Sequence, residues 1–181
     1  MDDDSVARLA VPVGADDHVR GGAHARVTLL EYGDFECPYC REAEPIARAL
    51  QKRFGDKLRF VFRSYPLDQH RHALPAAEAA EFAADHGKFW EYHDALYASD
   101  DLSRAGLLRD AKSVGLDADA LAKALDAGTY RAVIEDVKEA GSESGIPGTP
   151  AFFLDGVLFE DDPTEAALAD AITYQLEHLR A

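Results

Sequence analysis

Val27-Thr28-Leu29-Leu30-Glu31-Tyr32-Gly33-Asp34-Phe35-Glu36-Cys37-Pro38-Tyr39-Cys40-Arg41 passes from a strand-like run into a helix-like one, and its two cysteines are the only ones in the chain. The mostly apolar stretch Val27–Tyr32 suits a central strand with both faces covered. From Arg41 to Phe54 apolar residues recur at helical spacing (Ala43, Ile46, Ala47, Leu50, Phe54), and Gly55 closes the run. Residues three apart in a first helical turn have Cα atoms about 5–6 Å apart, within reach of an unstrained disulfide. Cys37 then lies at a helix N-terminus, where unpaired N–H groups and the macrodipole favour a thiolate. Pro38 suits the first helical position because it has no N–H to leave unpaired. A strand feeding such a pair at a helix start is the arrangement of a thiol–disulfide redox site, with Cys37 the nucleophile and Cys40 the more buried resolving thiol. A zinc site needs about four ligands, and no second cysteine pair exists; no metal is expected. A purely structural disulfide closing so short a loop would stabilise little.

Working outward, residues 1–26 read as an irregular lead-in. Leu9–Val13 is a candidate edge strand, since Pro12 would spoil a central one, and Gly14, Gly21 and Gly22 mark turns around Asp16-Asp17-His18-Val19. Leu58–Arg63 alternates and completes a βαβ unit. The stretch from about Asp68 to Ser144 is helical throughout. Its five expected helices run from near His70 to Asp85, through Phe89 to Tyr97, from a Ser103 cap to Gly115, from Asp117 or Asp119 to Gly128, and from a Thr129 cap through Val137. Trp90 and its aromatic neighbours read as core. Gly145–Pro150 is a breaker-rich loop, and Asp155-Gly156 between Ala151–Leu154 and Val157–Phe159 is a hairpin signal. Asp162-Pro163 is expected to open a last helix along Leu168, Ile172, Leu176 and Leu179. The order predicts an α/β class: a mixed sheet flanked by helices, with a large all-helical insertion between a βαβ half (1–67) and a ββα half (145–181), the insertion being 68–144.

Asp+Glu 34 against Lys+Arg 19 gives a net charge of −15, spread along the chain. That balance argues against nucleic acid and anionic membrane partners. No apolar run approaches a membrane span. Met1-Asp2-Asp3-Asp4 is the opposite of a signal peptide's basic start. The chain as it stands is expected in the cytoplasm, the alternative being a periplasmic or exported form whose signal peptide has been removed. Other chemistries find no footing. Gly141-Ser142-Glu143-Ser144-Gly145 carries Glu143 where a nucleophile elbow needs its serine. His70 and His72, two apart, point to different sides of a helix rather than at one metal.

The chain resembles the DsbA-like thioredoxin-fold family of bacterial thiol–disulfide oxidoreductases. The likeness runs through Asp17–Gly21 and Val27–Tyr32 to Asp34-Phe35-Glu36-Cys37-Pro38-Tyr39-Cys40, through Arg63-Ser64-Tyr65-Pro66-Leu67 with His70 and Ala76-Ala77, and through Gly148-Thr149-Pro150-Ala151-Phe152-Phe153. It implies a thioredoxin-like fold, Cys37 forming the mixed disulfide and Cys40 resolving it. It also implies a cis Pro150 facing the pair and Thr149 offering backbone groups to an extended substrate. The redox disulfide needs no cofactor. Substrates would be protein or low-molecular-weight thiols and disulfides, with a separate recycling partner and a monomeric enzyme.

Pro38-Tyr39 departs from the Pro-His of the strongly oxidising members and matches the pair typical of glutaredoxins, which lack a helical insertion of this size. The carboxylate of Glu36 should disfavour a Cys37 thiolate and Arg41 should favour it, unless both are solvated helix-start charges. No dimerisation segment like that of the isomerases is present. The direction, oxidase or reductase, stays open at this level. The competing reading is a non-catalytic chaperone or binding module with a structural cysteine pair.

Overall fold

The computed structural model describes residues 6–178. Five strands, β1 (His18–Gly21), β2 (Val27–Gly33), β3 (Leu58–Ser64), β4 (Ala151–Leu154) and β5 (Val157–Leu158), form one sheet in the order β1-β3-β2-β4-β5. β2 and β3 are parallel, and every other pair is antiparallel. The crossover between the parallel strands is α1 (Pro38–Phe54), which continues through Pro45 although that residue cannot bond the Arg41 carbonyl one turn back. Between β3 and β4 come α2 (Ala73–Asp85), α3 (Phe89–Ala98), α4 (Arg104–Ser113), α5 (Ala118–Ala127) and α6 (Arg131–Glu143); α7 (Glu165–His178) follows β5. This is the thioredoxin-like mixed sheet flanked by helices that the sequence predicts.

Alternation along the strands gives the sheet two unequal cores. Val27, Leu29, Phe60, Phe62, Phe152 and Leu154 face α1, α7 and the helical block, and the buried cysteines belong to this larger core. Leu30, Tyr32, Val61 and Phe153 face the other way, where Leu9, Val13, Val137 and Ile146 cover them.

Several boundaries differ from the sequence expectation. Leu9–Val13 forms no strand: Arg8 makes a single bridge to Val157, and the edge strand beside β3 is His18–Gly21 instead. The reason is Arg63, which holds Asp17 at 2.7 Å and the Val11 and Pro12 carbonyls at 2.9 and 3.1 Å, taking up backbone groups that a strand would need. Thr129 does not cap α6; Tyr130 is its N-cap. α7 opens later than Asp162-Pro163, with the Thr164 hydroxyl accepting the Ala167 N–H. Leu179 and Met1–Asp4 lie outside the described residues.

Candidate active site

Cys37 is the N-cap of α1 (φ −67°, ψ 123°) and Pro38 fills the first helical position. An N-cap side chain ordinarily accepts the first free amides through an oxygen; here a sulfur stands in that place without a capping hydrogen bond, and the Tyr39 and Cys40 amides favour its thiolate. Both cysteines are free thiols and both are buried. The hydrogen bond from the Cys40 thiol is the largest influence on Cys37. Burial opposes it, but Thr149 and the two amides add to it, and the Cys37 thiol falls to about 5. The Thr149 hydroxyl is buried with no other partner and so is a donor available to that sulfur.

Cys40 is driven the opposite way. Burial, its bond to Cys37 and the nearby charge of Glu31 hold its thiol far above the usual range, with only the Asp34 N–H, 3.4 Å from Cys40 Sγ, pulling it down. The site therefore separates two identical side chains into a thiolate and a thiol at neutral pH.

Opposite the pair, the Thr149–Pro150 peptide bond is cis. The Thr149 carbonyl lies 3.5 Å from Cys37 Sγ, close enough to accept from its thiol form. Tyr39, 69% exposed, projects at the mouth of a groove of about 310 Å³ lined by Glu42, Ile46, Thr149, Pro150 and Asp162. The structure thus gathers Cys37, Pro38, Tyr39, Cys40, Thr149 and Pro150 into one place. Glu36 is turned aside: its carboxylate accepts the His72 N–H at 2.6 Å and meets His72 Nδ1 at 3.1 Å. Arg41 is engaged elsewhere too, donating to the carbonyls of Leu96, Tyr97 and Ser99 at 3.5, 3.1 and 2.9 Å. It fastens the C-terminal end of α3 to the helix that carries the cysteines.

Four residues that the sequence reading names without placing them in the site lie around it. Glu31 is 2% exposed, on the same face of β2 as the cysteine helix, with Oε1 unpartnered. Burial, with the charges of Glu44 and Cys37, pushes its carboxyl up to about 8. Its signal was an acidic residue inside a strand read as covered on both faces. Asp34, also buried, accepts the Glu36 and Leu67 N–H groups at 2.8 and 2.9 Å and meets His70 Nδ1 at 2.7 Å. His70 and His72 precede α2 instead of lying on it, and each pairs with a carboxylate on the approach to Cys37.

A family model described as Thioredoxin matches residues 14–173. A thioredoxin-like oxidoreductase from Silicibacter pomeroyi superposes with a TM-score of 0.81 at 29% identity, over 91% of this chain and 94% of that one. Oxidised BdbD from Bacillus subtilis gives the same TM-score at 23% identity, over 88% and 92% of the two chains. Among curated proteins, Na(+)/H(+) antiporter NhaA 1 of Salinispora arenicola is 45% identical over 94% of this chain, but the matched part is 26% of the antiporter. The chain spans about a quarter of the length of the curated relatives it matches. No helix among the described residues is long and apolar enough to cross a membrane.

Proposed function

We propose that this chain, which belongs to the thioredoxin family, is a DsbA-like thiol–disulfide oxidoreductase that donates its Cys37–Cys40 disulfide to substrate thiols. The observation that carries the direction is the separation of the two thiols. A Cys37 thiolate formed near pH 5 stabilises the dithiol state and leaves readily from a mixed disulfide. Both properties favour giving a disulfide away.

In that direction, a substrate thiolate attacks Cys37 Sγ of the internal disulfide. A bond forms between the two sulfurs, the Cys37–Cys40 bond breaks, and Cys40 leaves as a thiolate that takes a proton. A second substrate thiolate then attacks the substrate sulfur of the mixed disulfide, and Cys37 leaves as the stabilised thiolate. Two substrate thiols are oxidised and one enzyme disulfide is reduced. In reverse, Glu31 in its ionised form takes the Cys40 proton and Cys40 Sγ attacks Cys37 Sγ, so that the internal disulfide forms, the mixed disulfide breaks and the substrate sulfur leaves as a thiolate. Thr149 and the face of Pro150 would hold an extended substrate segment beside Cys37, by backbone pairing of the strand-addition kind. Glu36 and Arg41 would act on the pair through the segments they tie down. A separate redox partner would regenerate the disulfide, and an oxidising compartment suits the reaction, in line with the exported alternative rather than the cytoplasm.

The test is the reduction potential of the pair, by equilibration with glutathione buffers. A value of about −120 to −180 mV is expected for a disulfide donor. A value of about −220 mV or lower would reverse the direction, and a pair that never forms a disulfide would end the redox reading altogether.

The 45% identity to part of an Na(+)/H(+) antiporter supports a second, compatible reading. In this reading the domain is a redox module whose thiol substrates lie on a transport protein or its neighbours. Co-purification of such a protein with the Cys40→Ser variant as a reducible mixed disulfide would support it; trapping of only unrelated thiol proteins would not.

A further inference from the structure

Buried polar groups without partners are costly, and each calls for a reason. Besides the Thr149 hydroxyl already described, two stand close to the cysteines: Glu31 Oε1 and the hydroxyl of Tyr97. Tyr97 lies near the end of α3, at the point where Arg41 of the cysteine helix binds the Leu96, Tyr97 and Ser99 carbonyls. Its ring packs on Phe35 and Phe62, with centroids 5.0 and 6.2 Å away. A Cβ added to Gly33 would lie 2.5 Å from Phe62 Cε2 and 3.0 Å from Glu31 Oε1, so the carboxyl group and the Phe62 edge meet over that glycine. Glu31 and Tyr97 thus pack around one aromatic ring in the core that also holds Cys37 and Cys40.

We propose that Tyr97 is a positioning residue for the step in which Cys40 attacks: once the Glu31 carboxyl has lost its own proton to solvent, the Tyr97 hydroxyl donates to the carboxylate and holds it ready to take the Cys40 proton. The proposal rests on the thiol–disulfide exchange reading above. A phenol fits the task because it is a single donor on a rigid apolar body, and it can remain in the core while the carboxyl is neutral. Once the carboxyl ionises, a charge-assisted bond becomes available that the neutral state does not use. The ionisable groups around Tyr97 are Glu31 and Asp34 from β2 and its following turn, and Cys37 and Cys40 from α1 and its cap. His93 packs against it from its own helix, ring centroids 5.0 Å apart, and the Arg41 guanidinium sits on its carbonyl. Among these, Glu31 is the one that is both unpartnered and required to change charge when Cys40 gives up its proton.

The test uses the full chain in the dithiol state, mixed rapidly with 5,5′-dithiobis(2-nitrobenzoate). Cys37 displaces one thionitrobenzoate and forms a mixed disulfide; Cys40 then displaces the second, so the two steps appear as two bursts of colour. In Tyr97→Phe the first burst should keep its rate. The second should slow about tenfold at pH 7, the size expected from one hydrogen bond to a charged group, and its pH profile should move upward. In the Glu31→Gln background, Tyr97→Phe should add nothing further. An unchanged second burst and pH profile in Tyr97→Phe would overturn the proposal. So would a full tenfold effect persisting in the Glu31→Gln background, which would place the hydroxyl on some other group. If the unaltered protein shows neither burst, the exchange reading fails and this one with it.

Discussion

Replacing Cys40 by alanine isolates the largest influence on the nucleophile. The Cys40 thiol donates to Cys37 Sγ, and that bond leads the causes that bring Cys37 down to about 5. A hydrogen bond to a charged group is worth about 1.5–3 kcal/mol, and about 1.4 kcal/mol corresponds to one pH unit. Cys40→Ala should therefore raise the ionisation midpoint of Cys37 from about 5 to about 6–7. Cys40→Ser, which retains a donor, should move it much less. The assay is thiolate absorbance near 240 nm, or the alkylation rate with iodoacetamide, across the acidic and neutral range. At pH 6 the unaltered thiol should be about nine-tenths ionised and that of the alanine variant about half or less. An unmoved midpoint in Cys40→Ala would show that the helix start and Thr149 suffice without the second thiol. An equal shift in the serine variant would show that lost packing, not the hydrogen bond, is responsible.

Three further outcomes follow from particular contacts. The hydrogen bond to Asp34 raises the pKa of His70, so its contribution to stability is full below the unfolded value of about 6.5 and is lost as pH rises through the folded one. His70→Asn should flatten that part of the curve of melting temperature against pH; the histidine is partly exposed, so the effect should stay below about 1 kcal/mol. Arg41→Met keeps the apolar stem but releases three carbonyls at the end of α3. It should cost about 1–3 kcal/mol in urea unfolding, with the Cys37 midpoint little changed, because the guanidinium spends its donors on those carbonyls. Gly33→Ala would drive a methyl group against Phe62 and the Glu31 carboxyl. A loss of about 1–3 kcal/mol is expected, and a variant as stable as the parent would mean that the ring moves freely.

The cysteine helix was legible because its signals are local: a proline at the first turn, apolar residues at helical spacing and a closing glycine all bear on the same few residues. The helical block was legible for the same reason, since Ser103 and Asp117 do cap α4 and α5. What escaped was set by distant partners. His18–Gly21 became a strand because β3 offered it an open edge, and Leu9–Val13 did not because Arg63, some fifty residues on, claimed its carbonyls. The sulfurs could be found from spacing, whereas Asp34, His70 and His72 become a set only after β3 and α2 have brought them together. Glu31 was visible as a charged residue in a covered strand, and reading it for chemistry rather than for pattern would have added it to the site.

The segment from Ala7 to Gly21 also has a consequence for what the margins of the sheet offer to other chains. One end bonds along β5, with Leu9 N–H to the Gly156 carbonyl and Leu158 N–H to the Ala7 carbonyl; the other end is β1, paired along β3. Between them the chain lays Leu9 and Val13 over the smaller core, and Arg63 pins it midway. Exposed sheet edges recruit other strands and seed aggregation. A disulfide donor of the kind proposed above would meet such strands constantly. By laying its own lead-in along both margins of the sheet, the protein covers the outer side of β5 and leaves the four-residue β1, in place of the seven-residue β3, as the open edge.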